Sequence, residues 1–222
     1  MVKIATTKLF TGSMLKRFIH SRSIVQQAHH DVFKETMSTF GSQAMIVTAP
    51  FEGEGSALDL HGMTMSSVCS LCVYPKPLVQ FNLQVPSITS EYLHRLNYFA
   101  IHVLPPLERS AWLARVFAGG TRPKRDQMGN IIHTKPFADL DSIRDYKFYN
   151  CKVKNISLPL LNIAERILIC KKKEVFKVEN HEIWIGKVED ILINDEAQKK
   201  TGGLLYFNKS FHTIGDILKE VL

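Results

Sequence analysis

The segment His61-Gly62-Met63-Thr64-Met65-Ser66-Ser67-Val68-Cys69-Ser70-Leu71-Cys72-Val73-Tyr74-Pro75-Lys76-Pro77-Leu78-Val79 decides how this chain is read. Its apolar residues predict a buried strand, yet small hydroxyl residues crowd it. Side chains alternate across an extended chain, which places Thr64, Ser66, Val68, Ser70 and Cys72 on one side and Met65, Ser67, Cys69, Leu71 and Val73 on the other. Both sides are then mixed, a pattern that core packing does not require. Such a strand is suited to hold a flat polar group against its backbone and hydroxyls.

Around that strand, 222 residues with 45% hydrophobic and 22% charged side chains are enough for one substantial core, assigned here to residues 29–222. No apolar run approaches the roughly 18 residues of a membrane span. The net charge of +7 points toward nucleic acid until its location is considered. Lys3, Lys8, Lys16, Arg17 and Arg22 all precede the first acid, Asp31; without those five, 23 bases face 21 acids. A nearly neutral body without basic clusters argues against a nucleic-acid partner. Residues 1–28, basic, acid-free, rich in Ser and Thr and dotted with Leu9, Phe10, Leu15 and Phe18, carry the composition of a mitochondrial transit peptide, with cleavage after Phe18. The alternative is a disordered basic tail on a cytoplasmic protein.

Four cysteines show no paired framework, so reduced thiols are expected. Cys69 and Cys72 have the Cys-x-x-Cys spacing, but on a regular strand an offset of three points them to opposite faces. They are read as small buried hydrophobes, and no metal site is expected.

Along the chain, Val32, Phe33, Met37 and Phe40 predict a short amphipathic helix stopped by Gly41. Residues 43–49 and 77–83 read as strands on either side of the hydroxyl-rich segment. Ser87 caps a helix in which Ile88, Tyr92 and Leu96 fall four apart, 98–104 is a strand, and 107–118 is a helix with Trp112, Leu113, Val116 and Phe117 facing inward. Residues 121–160 show weak periodicity and predict a long connection with little regular structure. Strands at 165–173, 182–193 and 204–207 close the set. Runs of strands with a few inserted helices predict a mainly β, antiparallel sheet or barrel with peripheral helices. No Gly-x-Gly-x-x-Gly follows a strand, so a Rossmann turn is excluded.

The ordered segments FKETMSTFGSQAMIVTA, HGMTMSSVCSLCVYPKPLVQFNL, YFAIHVL, the Phe117-Ala118 pair, NHEIWIGKVED and GGLLYFNKSFHTIG resemble the flavin reductase-like family over about residues 33–215. The most specific likeness is Gly-x-Thr-x-x-Ser followed by Pro-x-Leu-Val. The resemblance implies a split β-barrel, a homodimer and, with the leader, a mitochondrial member of fungal type. It implies FMN, or FAD, as the bound group and NADH or NADPH as hydride donor. Thr64, Ser66 and Ser67 would face the polar ring edge and Met65 and Val47 its apolar end, with Tyr206 as a stacking residue. The phosphate would lie near Ser87, Thr89 and Ser90, where a helix start attracts anions, although Glu91 in the same turn opposes one. His181, the candidate catalytic residue, stands where the family has a Gly-Asp-His turn, which implies a place beside the nicotinamide or the flavin ring; here Glu179-Asn180 replaces Gly-Asp, removing the aspartate that would orient or charge the imidazole. His61 is an alternative ring at a turn. The implied activity is NAD(P)H:flavin oxidoreduction, and the alternative is a flavin- or tetrapyrrole-binding protein without nicotinamide turnover.

Overall fold

Period-two apolar patterning builds most of what the computed structural model describes, namely residues 27, 29–53, 56–119, 124–125, 127–128, 131–132, 134–153, 155–194 and 201–216. The chain divides at Gly41 into two units. In the first, helix α1 covers 29–38 and leaves Val32, Phe33, Met37 and Phe40 exposed. The expected targeting segment lies outside the described residues apart from Gln27.

The second unit runs β1 (Ser42–Gln43), β2 (Met45–Thr48), β3 (Phe51–Glu52), β4 (Gly62–Met65), β5 (Cys69–Cys72), β6 (Leu78–Gln84), helix α2 (Ile88–Leu96), β7 (Tyr98–Val103) and helix α3 (Glu108–Ala118). It continues through β8 (Lys124–Arg125), β9 (Ile131–Ile132), β10 (Tyr146–Asn150), β11 (Ile156–Leu161), β12 (Arg166–Val178), β13 (His181–Ile193), β14 (Leu205–Phe207) and β15 (Ser210–His212). A seven-stranded sheet in the order β4-β2-β7-β12-β13-β6-β5 dominates, and every pair in it is antiparallel. Smaller sheets join β1-β14-β15, β10-β11-β3 and β8-β9. The expected mainly β, antiparallel architecture with peripheral helices is therefore the one observed.

Two apolar layers lie on opposite faces of the large sheet. Ile46, Ala100, Leu113, Phe117 and Leu158 pack on one side, and Val47, Met65, Phe81, Phe99 and Trp184 on the other. Helix α3 sits close on the first. Thr64 donates its hydroxyl to the Ala114 carbonyl at 2.7 Å, and a Cβ on Gly62 would come within 2.7 Å of the Val47 carbonyl oxygen and 2.9 Å of the Phe117 ring. Only a residue without a side chain lets the helix approach β4 there.

Several expectations are corrected. The hydroxyl-rich segment is not one strand: it breaks at Ser66–Val68, and β5 is an exposed edge strand with Cys69 in solvent. An edge strand has no neighbour to cover it, so its small residues were not core. Residues 121–160 hold regular structure, because β10 pairs with β11 along five register positions. Their mixed charge hid this, since β10 has only one buried residue, Tyr146. In α3 the buried residues are Ser110, Leu113, Ala114 and Phe117, whereas Trp112 turns outward with the Arg109 guanidinium 4.0 Å from its ring.

Candidate active site

Strand β6 organises the surface on which the predicted residues can be compared. Its sequence Leu-Val-Gln-Phe-Asn-Leu-Gln alternates strictly, so Val79, Phe81 and Leu83 are buried while Gln80, Asn82 and Gln84 form a polar row on the other face. On the same face of β13 the partners of Gln80 and Asn82 are apolar, Ile185 and Ile183, and only that of Gln84, His181, is polar. On the chain preceding β5, Ser67 reaches the same strand: the Asn82 amide donates to Ser67 Oγ at 2.9 Å. Ser66, exposed, precedes it. Beyond Gln84, Ser87 begins α2, its hydroxyl accepting from the Ser90 amide at 3.3 Å as an N-cap.

His181 opens β13 after a turn in which Glu179 adopts a positive φ of 52°. Its Nδ1 donates to the Asn180 side-chain carbonyl at 2.9 Å, which leaves Nε2 as the acceptor. A carboxamide fixes the ring's orientation without supplying the negative charge that an aspartate would. The Val85 amide donates to the Asn180 carbonyl at 2.9 Å, tying this turn to the end of β6.

On the inner face lies a cluster the sequence reading missed. Glu182 accepts from Ser90 Oγ, from Trp184 Nε1 at 3.0 Å and from His94 Nε2 at 3.1 Å. Burial pushes the Glu182 carboxyl up, but those three hydrogen bonds outweigh it and hold the group below its ordinary value. The cluster clamps α2 onto β13. Its signal was present in the sequence as an acid two residues before a tryptophan on one strand, a spacing that puts a carboxylate beside an indole N–H.

The predicted residues therefore separate into three groups. Ser66, Ser67, Ser87 and His181 lie along β6 and its continuation. Val47, Met65, Thr89 and Ser90 are buried. Val47 and Met65 belong to the inner apolar layer with Phe81 and Trp184, so they are core before they are ligand contacts. Ser90 is turned inward to Glu182 and is withdrawn from a phosphate; the Glu182 carboxylate already occupies the favourable position beside the first turn of α2. Thr64 is bonded to α3, and Tyr206 lies on β14 against Phe211, with the Arg115 guanidinium 5.2 Å from the Phe211 ring. Gln80, Asn82 and Gln84 are polar candidates absent from the sequence-based set, although strict alternation in Leu78–Gln84 marks them.

Among the described residues no group of three or more His, Cys, Asp or Glu side chains is gathered for a metal, and no helix is long and apolar enough to cross a membrane. Comparison with solved structures finds the same fold at low identity. A nitrilotriacetate monooxygenase component B homolog from Mycobacterium thermoresistibile is 17% identical with a TM-score of 0.65, covering 89% of this chain and 94% of that one. A flavin reductase domain protein from Arthrobacter sp. FB24 is 20% identical with a TM-score of 0.63, covering 86% and 99%. Flavin reductase HpaC, solved with NADP+, is 22% identical with a TM-score of 0.60, covering 83% and 97%. The family model described as flavin reductase like domain matches residues 37–215, and the chain belongs to that family.

Proposed function

We propose that the chain is an NAD(P)H-dependent flavin oxidoreductase whose flavin, FMN or FAD, lies along the polar row of β6. The observation that carries the reading is that row itself: three amide side chains, Gln80, Asn82 and Gln84, on one face, with Ser67 bonded beside them and His181 opposite. A flavin's pyrimidine edge presents carbonyls and N–H groups in a plane, and alternating amides and hydroxyls fit that demand for both donors and acceptors. Bound flavin would supply the hydride-accepting chemistry; the chain's share is proximity and orientation. In that division of labour Gln80, Asn82 and Ser66 bind the ring edge, Ser67 fixes the Asn82 backbone, and Ser87 with the start of α2 offers N–H groups to a phosphate. His181, its ring oriented by the Asn180 amide, is assigned a positioning role. Its exposed neutral partner also favours, as the second reading, a flavin- or tetrapyrrole-binding protein that does not turn over nicotinamide.

Anaerobic titration of the flavin-loaded protein with NADH and with NADPH tests this. Loss of the visible flavin absorbance with either one is the expected result. A flavin spectrum that survives both nicotinamides overturns the reductase reading, and failure to retain FMN or FAD at all overturns the site. Ser66→Trp is expected to weaken flavin binding by roughly tenfold or more, about 1.4 kcal/mol, with melting unchanged because Ser66 is exposed. Unaltered affinity in that variant would move the site off the β6 row.

A homodimer is proposed on the outer face of the long β12–β13 ribbon, where Phe176 is 48% and Val178 50% exposed and the cross-strand partner of Phe176 is Ile183. Apolar side chains clustered on an exposed strand suit a self-complementary contact. The solution mass decides it, a monomer at all concentrations being the contrary result. Delivery to the mitochondrial matrix is proposed on the composition of residues 1–28, and absence of the protein from the matrix fraction of fractionated cells would contradict it.

A further inference from the structure

The bulge in β5 changes the relation between Cys69 and Cys72. Cys69 stands opposite Gln80 and Cys72 opposite Leu78, the register slipping between Ser70 and Cys72. Directly opposed residues share a face of the sheet, and so do residues two apart on one strand. Gln80 and Leu78 are two apart, so both cysteines stand on their side, away from buried Val79 and Phe81. Leu71 is the extra residue that converts an offset of three, which would separate the thiols, into an offset that aligns them.

Distance agrees with orientation. Three residue steps on β5 cover the same length as two on β6, about 6.6 Å. Disulfides form at Cα separations of about 4.4 to 6.8 Å and Cβ separations of about 3.5 to 4.5 Å, so closing the bridge requires the edge strand to pucker at the bulge and bring the two Cβ atoms together. Both thiols are free, Cys69 exposed and Cys72 half-buried, with the Cys72 thiol donating to the Tyr74 carbonyl at 2.7 Å. The other two cysteines are buried: desolvation pushes the Cys151 thiol up to about 11 and the Cys170 thiol higher still. Thiol chemistry is therefore directed to β5.

We propose that Cys69 and Cys72 form a peroxide-sensitive dithiol that closes to an intramolecular disulfide. Cys69, the more accessible, reacts first. Its thiolate attacks one oxygen of hydrogen peroxide, the S–O bond forms as the O–O bond breaks, and the departing hydroxide takes up a proton to leave as water. The Cys72 sulfur, its proton lost to solvent, then attacks the sulfenic sulfur; the S–S bond forms, the S–O bond breaks, and the hydroxide released takes a proton to give a second water. Two electrons leave the sulfur pair and one peroxide is reduced. A thiol reductant reverses the bridge.

The test treats the full chain with hydrogen peroxide, alkylates the remaining thiols, digests it without reductant and weighs the peptide that carries both cysteines. The expected result is a mass lower by two hydrogen atoms, no alkylation at Cys69 or Cys72, and recovery of both sites after dithiothreitol. In Cys72→Ser, Cys69 sulfinic and sulfonic acids should rise by roughly tenfold because nothing intercepts the sulfenic acid. Sulfinic acid at Cys69 with Cys72 still alkylated in the wild-type chain overturns the proposal, as does a bridge only between two chains. The wild-type digest decides the matter even where a variant folds poorly.

Discussion

Trp184→Ala is expected to destabilise the folded chain by about 4 kcal/mol. The indole is fully buried in the inner apolar layer, with the Phe81 ring stacked 6.1 Å from it, the Phe99 ring edge-on at 6.3 Å and the His94 ring at 4.6 Å. Removing it leaves a cavity between a strand and a helix that are each held elsewhere, so collapse around the gap is restricted. The same residue also donates to Glu182. Trp184→Phe separates the two contributions: most of the packing survives, while Glu182 keeps two of its three donors, and a loss of about 1 to 2 kcal/mol is expected. Urea denaturation followed by circular dichroism measures both variants. If alanine cost no more than phenylalanine, Trp184 would not be packed as described. Because Ser90 and Glu182 hold the start of α2, Trp184→Phe should also weaken any ligand bound near Ser87.

Between pH 7 and pH 4 the folded state is expected to lose about 3 kcal/mol through His102 alone. This residue is fully buried on β7, where its Nδ1 donates to the Ile46 carbonyl at 3.0 Å, and its Nε2 has no partner. A second proton would sit on that buried nitrogen with nothing to accept it. Burial accordingly lowers the His102 pKa from 6.5 to about 4, against a smaller opposing effect of the Ile46 hydrogen bond. The unfolded chain takes up its proton near 6.5 and the folded chain only near 4, so the stability is complete above 6.5, about 2 kcal/mol is gone at pH 5, and the loss levels off below 4. Asp145, held down to about 2 first by the Arg144 side chain and also by Arg109, titrates in a lower window and does not blur this one. His102→Leu gives up one hydrogen bond and one unpaired nitrogen together. It should lie within about 1 kcal/mol of wild type at pH 7 and lose clearly less than wild type between pH 7 and pH 5, above the range where carboxylates such as Glu182 begin to titrate in the unfolded chain. Equal acid sensitivity in both proteins would place the titrating group elsewhere.

The sequence specifies some of these elements locally and leaves others to long-range pairing. Gly62 and Thr64 were singled out as part of a strand that binds, and the structure shows them first as the strand's attachment to α3. Ser90 was read as a phosphate contact because it stands in the first turn of a helix, but which way that turn faces depends on Glu182, 92 residues later. Strand β10 carries mixed charge and buries only Tyr146, so it and its partner β11 are recognised only through their pairing. The polar row of β6 was fully legible, since alternation is a local property, and it was passed over because its neighbour on the chain carried more hydroxyls.

The amino-acid sequence by itself determined the mainly β, antiparallel architecture, the N-cap of α2, and the family, because periodicity and ordered local motifs are written within a few residues of one another. Only the tertiary structure decided which hydroxyls are available to a ligand. It also decided that Leu71 is an inserted residue that turns Cys69 and Cys72 to one side. Both depend on which strand lies opposite, and strand pairing joins residues whose separation along the chain no local pattern encodes.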